Sequence, residues 1–363
     1  MSTLTYKCPS CGAPLIYQGD TQALQCNSCG NSFSVETARQ VSEIDESQGG
    51  GSTNWNMRDV EFTRQEAEQT KTYSCTSCGA QLVTEETTVA TNCAFCGSPS
   101  IIPAQFTPGT RPEKVIPFIV KKEEAEKAFH SYFRGKRMLP NAFLKGKNQI
   151  SQIMQLYVPY WLFNCTADAD MTYNATRVST RRSGQYMETI TQHYLIRRSG
   201  TLDFNDLPID ANSRIVTDIT ETLEPYRTEA AVDFTPEVLS GAMANRADVS
   251  PDECKQTADE RITSTTQSVM RDTIQGYSSV SQRSSRLSIP EGNSTPVLFP
   301  MWQITTIKEG KPYTFAINGQ TGKLTTNIPY SKGKFFGWAL GIAAGVAAAA
   351  FAGVTILYKT GVL

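Results

Sequence analysis

Histidine is almost missing from this chain: only His130 and His193 occur among 363 residues, and neither lies near a candidate nucleophile in sequence. There is no G-x-x-x-x-G-K-[ST] phosphate loop, no G-x-G-x-x-G, no G-x-S-x-G and no H-E-x-x-H. Nucleotide-driven, hydrolytic and zinc-protease chemistries therefore have no motif to start from. The carboxylates are scattered, and the chain reads as non-enzymatic. An excess of charge of one sign is also lacking, with a formal net charge of -1. Between Met1 and Ser100, five basic residues (Lys7, Arg39, Arg58, Arg64, Lys71) face eleven acidic ones, a local balance of -6, and Thr72 to Ser100 holds no Lys or Arg. Affinity for nucleic acid comes mainly from neutralising phosphates, so this region suits protein partners better than DNA or RNA. The first residues, MSTLTYKCPS, contain no apolar run, which leaves no secretory signal to expect.

Cysteine, in contrast, is arranged with care. Cys8-Pro-Ser-Cys11-Gly12 is followed by Cys26-Asn-Ser-Cys29-Gly30, and Cys75-Thr-Ser-Cys78-Gly79 by Cys93-Ala-Phe-Cys96-Gly97. Each copy separates its two C-x-x-C-G pairs by the same interval, and C-P-S-C-G-A-P-L matches C-T-S-C-G-A-Q-L as an internal duplication. Two pairs supply the four thiolates of a closed tetrahedral zinc site. The glycine after each second cysteine permits φ > 0, and the residues between the pairs suffice for one short hairpin. The reading is two zinc ribbons holding two Zn²⁺ ions, one on Cys8, Cys11, Cys26 and Cys29 and one on Cys75, Cys78, Cys93 and Cys96. Four disulfides in an exported chain, or an iron–sulfur cluster, are the rival uses of these cysteines. A closed site leaves no open coordination position, so its role is structure and binding. Cys165 and Cys254 read as small buried side chains.

At the other end, Phe335 to Tyr358 contains no charged residue and carries aromatics at both ends. That length matches a membrane span, with the flanking rings at the two interfaces; a buried core helix is the competing reading. Lys332 and Lys334 before the run, against Lys359 after it, together with reduced thiolates, place the bulk of the chain in the cytoplasm, tail-anchored as a single-pass protein of the cell membrane. Gly337, Gly341, Gly345, Ala349 and Gly353 recur every four residues, the small-residue face of a helix that packs closely on another or on a second copy of itself.

The expected fold class is α+β: two small β zinc ribbons, a mainly antiparallel β domain with helices, and one transmembrane helix. The divisions are 1–35 for the first ribbon, 36–71 for a flexible polar linker around Gly49-Gly50-Gly51, 72–103 for the second ribbon, 104–334 for a cytoplasmic α+β domain and 335–358 for the span. The ribbons are expected as beads on a string. Ala125, Ala128, Phe129, Tyr132 and Phe133 predict an amphipathic helix over Lys122–Phe133 that ends at Gly135. A second short helix is expected around Ile150–Tyr157, and a β meander from Val158. Ser250-Pro251-Asp252-Glu253 starts a helix running to about Ile274. Arg-Arg-Ser-Gly occurs at 181–184 and at 197–200, each read as a hairpin turn, and Asn318-Gly319 marks another. Val158-Pro159-Tyr160-Trp161 and Phe299-Pro300-Met301-Trp302 raise the expectation of a pseudo-repeat.

On the four C-x-x-C-G units, Ile116-Pro117-Phe118, Tyr157 to Trp161, Arg271 to Tyr277, Phe315 to Lys323 and the terminal apolar run, the chain resembles bacterial membrane-anchored proteins with two zinc ribbons of the transcription-factor-B type. Some of these are labelled primosomal helicase-like, a label this chain contradicts by having no nucleotide-binding loop. The resemblance implies a membrane-tethered adaptor of envelope-stress systems, with phage-shock-type or flotillin-like partners. A nucleic-acid-associated ribbon protein held at the membrane, serving replication or transcription, is the alternative.

Overall fold

The computed structural model describes residues 6–10, 12–46, 51–57, 61–85, 93, 98, 101–104, 110–136, 138–144, 149–213, 217–308, 311–328 and 330–359. The fold is α+β with a mixed, mainly antiparallel sheet, seven α-helices among the described residues and one long apolar helix toward the C-terminus. The chain divides into two compact units, one of residues 1–58, 161–209 and 250–295, the other of 59–160, 210–249 and 296–363. The span 104–334, expected as a single domain, is thus shared between them.

The first cysteine cluster, expected as a ribbon, belongs to the former unit. Leu15–Gln18 pairs antiparallel with Ala23–Cys26, and a third strand, Ser32–Ser34, which the sequence did not announce, completes the sheet. Its core is small: Leu15, Leu24, Ala38, Cys8 and Cys26. The interval 36–71, expected as a flexible linker, holds regular structure instead. Helix Val35–Glu46 buries Ala38 and Val41. Strand Thr53–Met57 adds parallel to residues 289–294. Trp55 explains the pairing. Its indole donates to Asp259 at 2.9 Å and meets the Phe163 ring edge-on at 5.1 Å. A side chain at Gly292 would press on that indole at 2.4 Å.

The second cysteine cluster, expected as another bead on a string, departs further from that expectation. Its hairpin, Thr70–Cys75 with Gln81–Glu85, is extended on one side by Ile101–Ala104 and on the other by Met243–Asn245. Leu82, Val83 and Thr84 are buried, and Val83 joins a core with Val115, Tyr157, Leu239 and Leu298. The preceding turn of helix, Arg64–Glu68, has a full capping box at Thr63, and Glu66 pairs with Arg111 at 2.7 Å.

The pseudo-repeat emerges from matched hydrogen bonds. A helix, Lys122–Tyr132, precedes the long strand Gln152–Ser183 and its hairpin partner Tyr186–Asp210. A second helix, Pro251–Asp272, precedes Ser279–Lys308 and its partner Lys311–Asn318. The proline carbonyls of the two Pro-x-Trp strands accept from equivalent turns: Ala211 N–H donates to Pro159 and Gly319 N–H to Pro300. Asp210 and Asn318 each cap their own turn, accepting from the N–H of Asn212 and Gln320. The carbonyl of Gly319 then receives the N–H groups of Ile119 and Val120, just before the first helix. The carbonyl of Ala211 receives those of Asp248 and Val249, just before the second.

Each helix consequently packs on the hairpin of the other repeat. Ala125 and Phe129 pack with Trp302, Ile304, Phe315 and Ile317. Met270 and Ile274 pack with Ala169, Met171, Tyr173 and Ile196. The short helix expected near Ile150 is strand from Gln152 onward, and Asn141–Leu144 is the helical turn instead. Of the two Arg-Arg-Ser-Gly sequences, the first ends in a turn with Gly184 at φ 64°. The second lies inside the strand Tyr186–Asp210, where Ile196 and Ile209 face the core.

The equivalence of Asp210 and Asn318 yields a prediction. Burial pushes the Asp210 carboxyl up to about 7, against hydrogen bonds from Thr220 and the Asn212 N–H, with Asp248 and Glu221 adding repulsion. A folded carboxyl raised this far holds its proton where the unfolded chain has lost it. Stability therefore falls as the pH climbs from about 4 through 7, by on the order of 2–4 kcal/mol. Asp210→Asn installs the amide already present at Asn318. Thermal unfolding should show the variant more stable than wild type at pH 8, with the difference vanishing near pH 4; equal midpoints at both pH values would refute this.

Candidate metal centres

Both cysteine clusters are assembled by the same local geometry. After Cys8 the chain reverses: Cys8 N–H donates to Ala13 at 2.7 Å, Gly12 N–H donates back to Cys8 at 2.8 Å, and Gly12 takes φ 77°. Cys26 repeats this with Asn31 and Gly30, and Cys75 with Ala80 and Gly79. At the fourth pair, Cys93 N–H donates to Ser98 at 2.8 Å. Gly30 and Gly79 have φ 74° and 71°. The C-x-x-C-G spelling is thus the spelling of this turn, because an L side chain at the glycine would be forced into the left-handed region.

The turns bring the sulfurs together. The Sγ atoms of Cys8, Cys26 and Cys29 lie within 4.8 Å of one another, as do those of Cys75, Cys78 and Cys93. The nearest pairs are Cys8–Cys29 at 3.6 Å and Cys78–Cys93 at 3.5 Å. These are close to the edge of a tetrahedron of thiolates about a metal, roughly 3.8 Å for M–S bonds of about 2.3 Å. The described cysteines form no disulfide. Each triad can hold a metal ion, and its all-sulfur donor set suits a soft or borderline metal. Cys11 and Cys96, the expected fourth ligands, lie outside the described residues.

Sequence reasoning missed the ties between the two turns of each centre. Asn31 donates to Ser10 Oγ at 3.0 Å in the first, and Ser77 and Ser98 share a hydrogen bond of 3.0 Å in the second. Ser10 and Ser77 both precede the second cysteine of a pair, and Asn31 and Ser98 both follow the glycine of the next. The signal was therefore present as two polar positions at the same offsets in both copies. The first cysteine of each pair, Cys8, Cys26, Cys75 and Cys93, is buried, while Cys29 is exposed and Cys78 half-buried. Cys165 and Cys254 are buried as expected.

The apolar helix is Lys332–Lys359, of which Lys332–Gly353 is long and apolar enough to cross a membrane, with mean hydropathy 1.8 and no part of that stretch buried in the fold. Its small residues form an open face: a side chain added at Gly337, Gly341, Gly345 or Gly353 would meet nothing within 4 Å.

No protein-family model matches the chain, and no solved structure matches it. The Bacillus subtilis (strain 168) protein described as the uncharacterized protein YdjG is 33% identical over 342 residues, 94% of this chain and 95% of that protein. Shared identity of this extent over nearly the whole of both chains means that the chain belongs to the family of Bacillus subtilis YdjG.

Proposed function

We propose that the chain is a non-enzymatic, membrane-anchored adaptor. In this reading each cysteine cage holds one Zn²⁺ ion with four thiolates, and the two ribbons grip protein partners at the cytoplasmic face. The observation that carries the reading is the pairing of two preformed thiolate cages with an apolar helix that contributes nothing to the fold's core. A closed all-sulfur cage has no vacant position for substrate, which leaves binding as its use. Resemblance supplies the partner class: envelope-stress membrane proteins of the phage-shock or flotillin-like type. Crosslinking in intact membranes followed by isolation of the full chain tests this. Specific protein partners that disappear in the Cys75→Ser/Cys78→Ser variant support it; an identical partner set in wild type and variant defeats it.

The open small-residue face of the helix is read as a lateral contact with a second copy or another membrane protein. Gly341→Leu should shift the oligomeric state in a bilayer toward monomer, as measured by single-molecule photobleaching or crosslinking. An unchanged distribution counts against the contact.

One observation favours the second reading, a nucleic-acid-associated protein. Residues 171–200 carry Arg177, Arg181, Arg182, Arg197 and Arg198 against Glu188 alone, on a hairpin whose tip exposes Tyr186 and Met187. If that hairpin is a phosphate-binding arm, RNA or DNA affinity will fall steeply with salt, and Arg181→Gln/Arg182→Gln will flatten the slope by roughly two units.

A further inference from the structure

Two segments of this chain carry Lys and Arg without any Asp or Glu. From Lys127 to Ile150 there are six basic residues (Lys127, Arg134, Lys136, Arg137, Lys145, Lys147) and no acidic one. From Lys311 to Lys359 there are five lysines (311, 323, 332, 334, 359) and no acidic residue. These two segments hold eleven of the 34 Lys and Arg and none of the 35 Asp and Glu. The remainder of the chain is then 23 against 35, or -12, although the whole is -1.

The fold brings the two segments into contact. Phe133 packs on Phe315, and Phe143 on Tyr313. Ser331 N–H donates to Met138 at 2.8 Å, and the Lys334 ammonium donates to the Leu139 carbonyl at 2.7 Å. Between them lies an open cavity of about 500 Å³ lined by Tyr132, Lys136, Leu139, Ile328, Tyr330 and Trp338 among others. The Lys136 ammonium sits 3.4 Å above the Tyr132 ring, at the cavity wall. Trp338 is itself part of the apolar helix, three residues or about 4.5 Å beyond Phe335. The cavity therefore has a cationic edge and an apolar floor. With Lys332–Gly353 across a bilayer, it would lie at the depth where headgroups give way to acyl chains.

We propose that this cavity binds one anionic glycerophospholipid of the leaflet that the helix enters. Its phosphate faces Lys136, and the first carbons of its acyl chains lie on Trp338, Leu139 and Ile328. The inference rests on the membrane reading of Lys332–Gly353. A neutral phospholipid offers the same acyl chains without net charge, so preference for an anionic headgroup is the distinguishing property.

Native mass spectrometry of the full chain, solubilised from bilayers of equal phosphatidylglycerol and phosphatidylcholine, measures that preference. Wild type should retain one phosphatidylglycerol in clear excess over phosphatidylcholine. Lys136→Gln should cut the ratio about fivefold, the factor corresponding to ~1 kcal/mol per basic side chain at an anionic surface. Lys136→Arg should retain it, and Lys255→Gln, which removes one charge from the other unit, should leave it unchanged. Equal retention of both lipids, equal losses in Lys136→Gln and Lys255→Gln, or displacement by soluble glycerol phosphate would overturn the site. Alkaline carbonate extraction of the same membranes separates the two readings. A chain released by carbonate defeats the anchor and the lipid site together, whereas a retained chain with no lipid preference defeats the lipid site alone.

Discussion

Replacing Cys26 with serine is expected to reduce the metal content of the purified chain from two ions to one and to unfold residues 6–34. The small sheet that carries the first cysteine cluster has little else to hold it. Its core is three buried apolar side chains and two buried cysteines, with Tyr6, Ala13 and Phe33 partly buried against them, under three strands of three or four residues. A core of that size offsets little of the roughly 1–2 kcal/mol of backbone entropy lost per ordered residue. Structural zinc supplies about 10–16 kcal/mol in small sites of this kind, so metal and fold should be lost together. The corresponding change at Cys75 should remove the other ion with a milder structural result. Strands Thr70–Cys75 and Gln81–Glu85 are held by Ile101–Ala104 and Met243–Asn245 whether or not the cage is filled. Elemental analysis counts the ions, and limited proteolysis or amide exchange locates the unfolding. Zinc-free wild-type protein, or a Cys26→Ser chain still protected over 6–34, would refute the account.

Ending the chain at Ser331 should move it completely from the carbonate-resistant membrane fraction to the soluble one, with both metal ions retained. The 22 residues Lys332–Gly353 extend about 33 Å as a helix, against about 30 Å of hydrocarbon core. Leu340, Ile342, Val346 and Phe351 are 59–74% exposed in the fold, so their burial has to come from outside it. Removing them leaves the interior intact, because the core beside the helix is built by Phe129, Phe143, Phe315 and Ile317. Retention of the truncated chain in the pellet would mean that other surfaces suffice for attachment.

Several features were legible in the residues because their causes are local. C-x-x-C-G spells a turn whose hydrogen bonds span five residues, so both clusters could be placed before any tertiary contact was known. The Ser250 capping box and the apolar spacing of Ala125 and Phe129 likewise need only the helix that contains them. The apolar run 335–358 needs only its own length.

The failures share the opposite character. The interval 36–71 looked like a linker because glycines and polar residues dominate it. Trp55 finds its partners at Phe163, Asp259 and Gly292, more than a hundred residues away. The second Arg-Arg-Ser-Gly looked like a turn, but pairing with the neighbouring long strand and the burial of Ile196 kept it extended. The sequence alone, then, determined the four cysteine turns, the starts of the helices at Lys122 and Pro251 and the apolar run. The tertiary structure decided that the hairpin beside the second cysteine cluster is welded into the large sheet, that the repeats exchange their helices, and that two carboxylate-free segments meet where the apolar helix begins. Short-range hydrogen bonds and periodicity are written in consecutive residues, whereas strand partners and charge juxtapositions depend on which distant segments share a core.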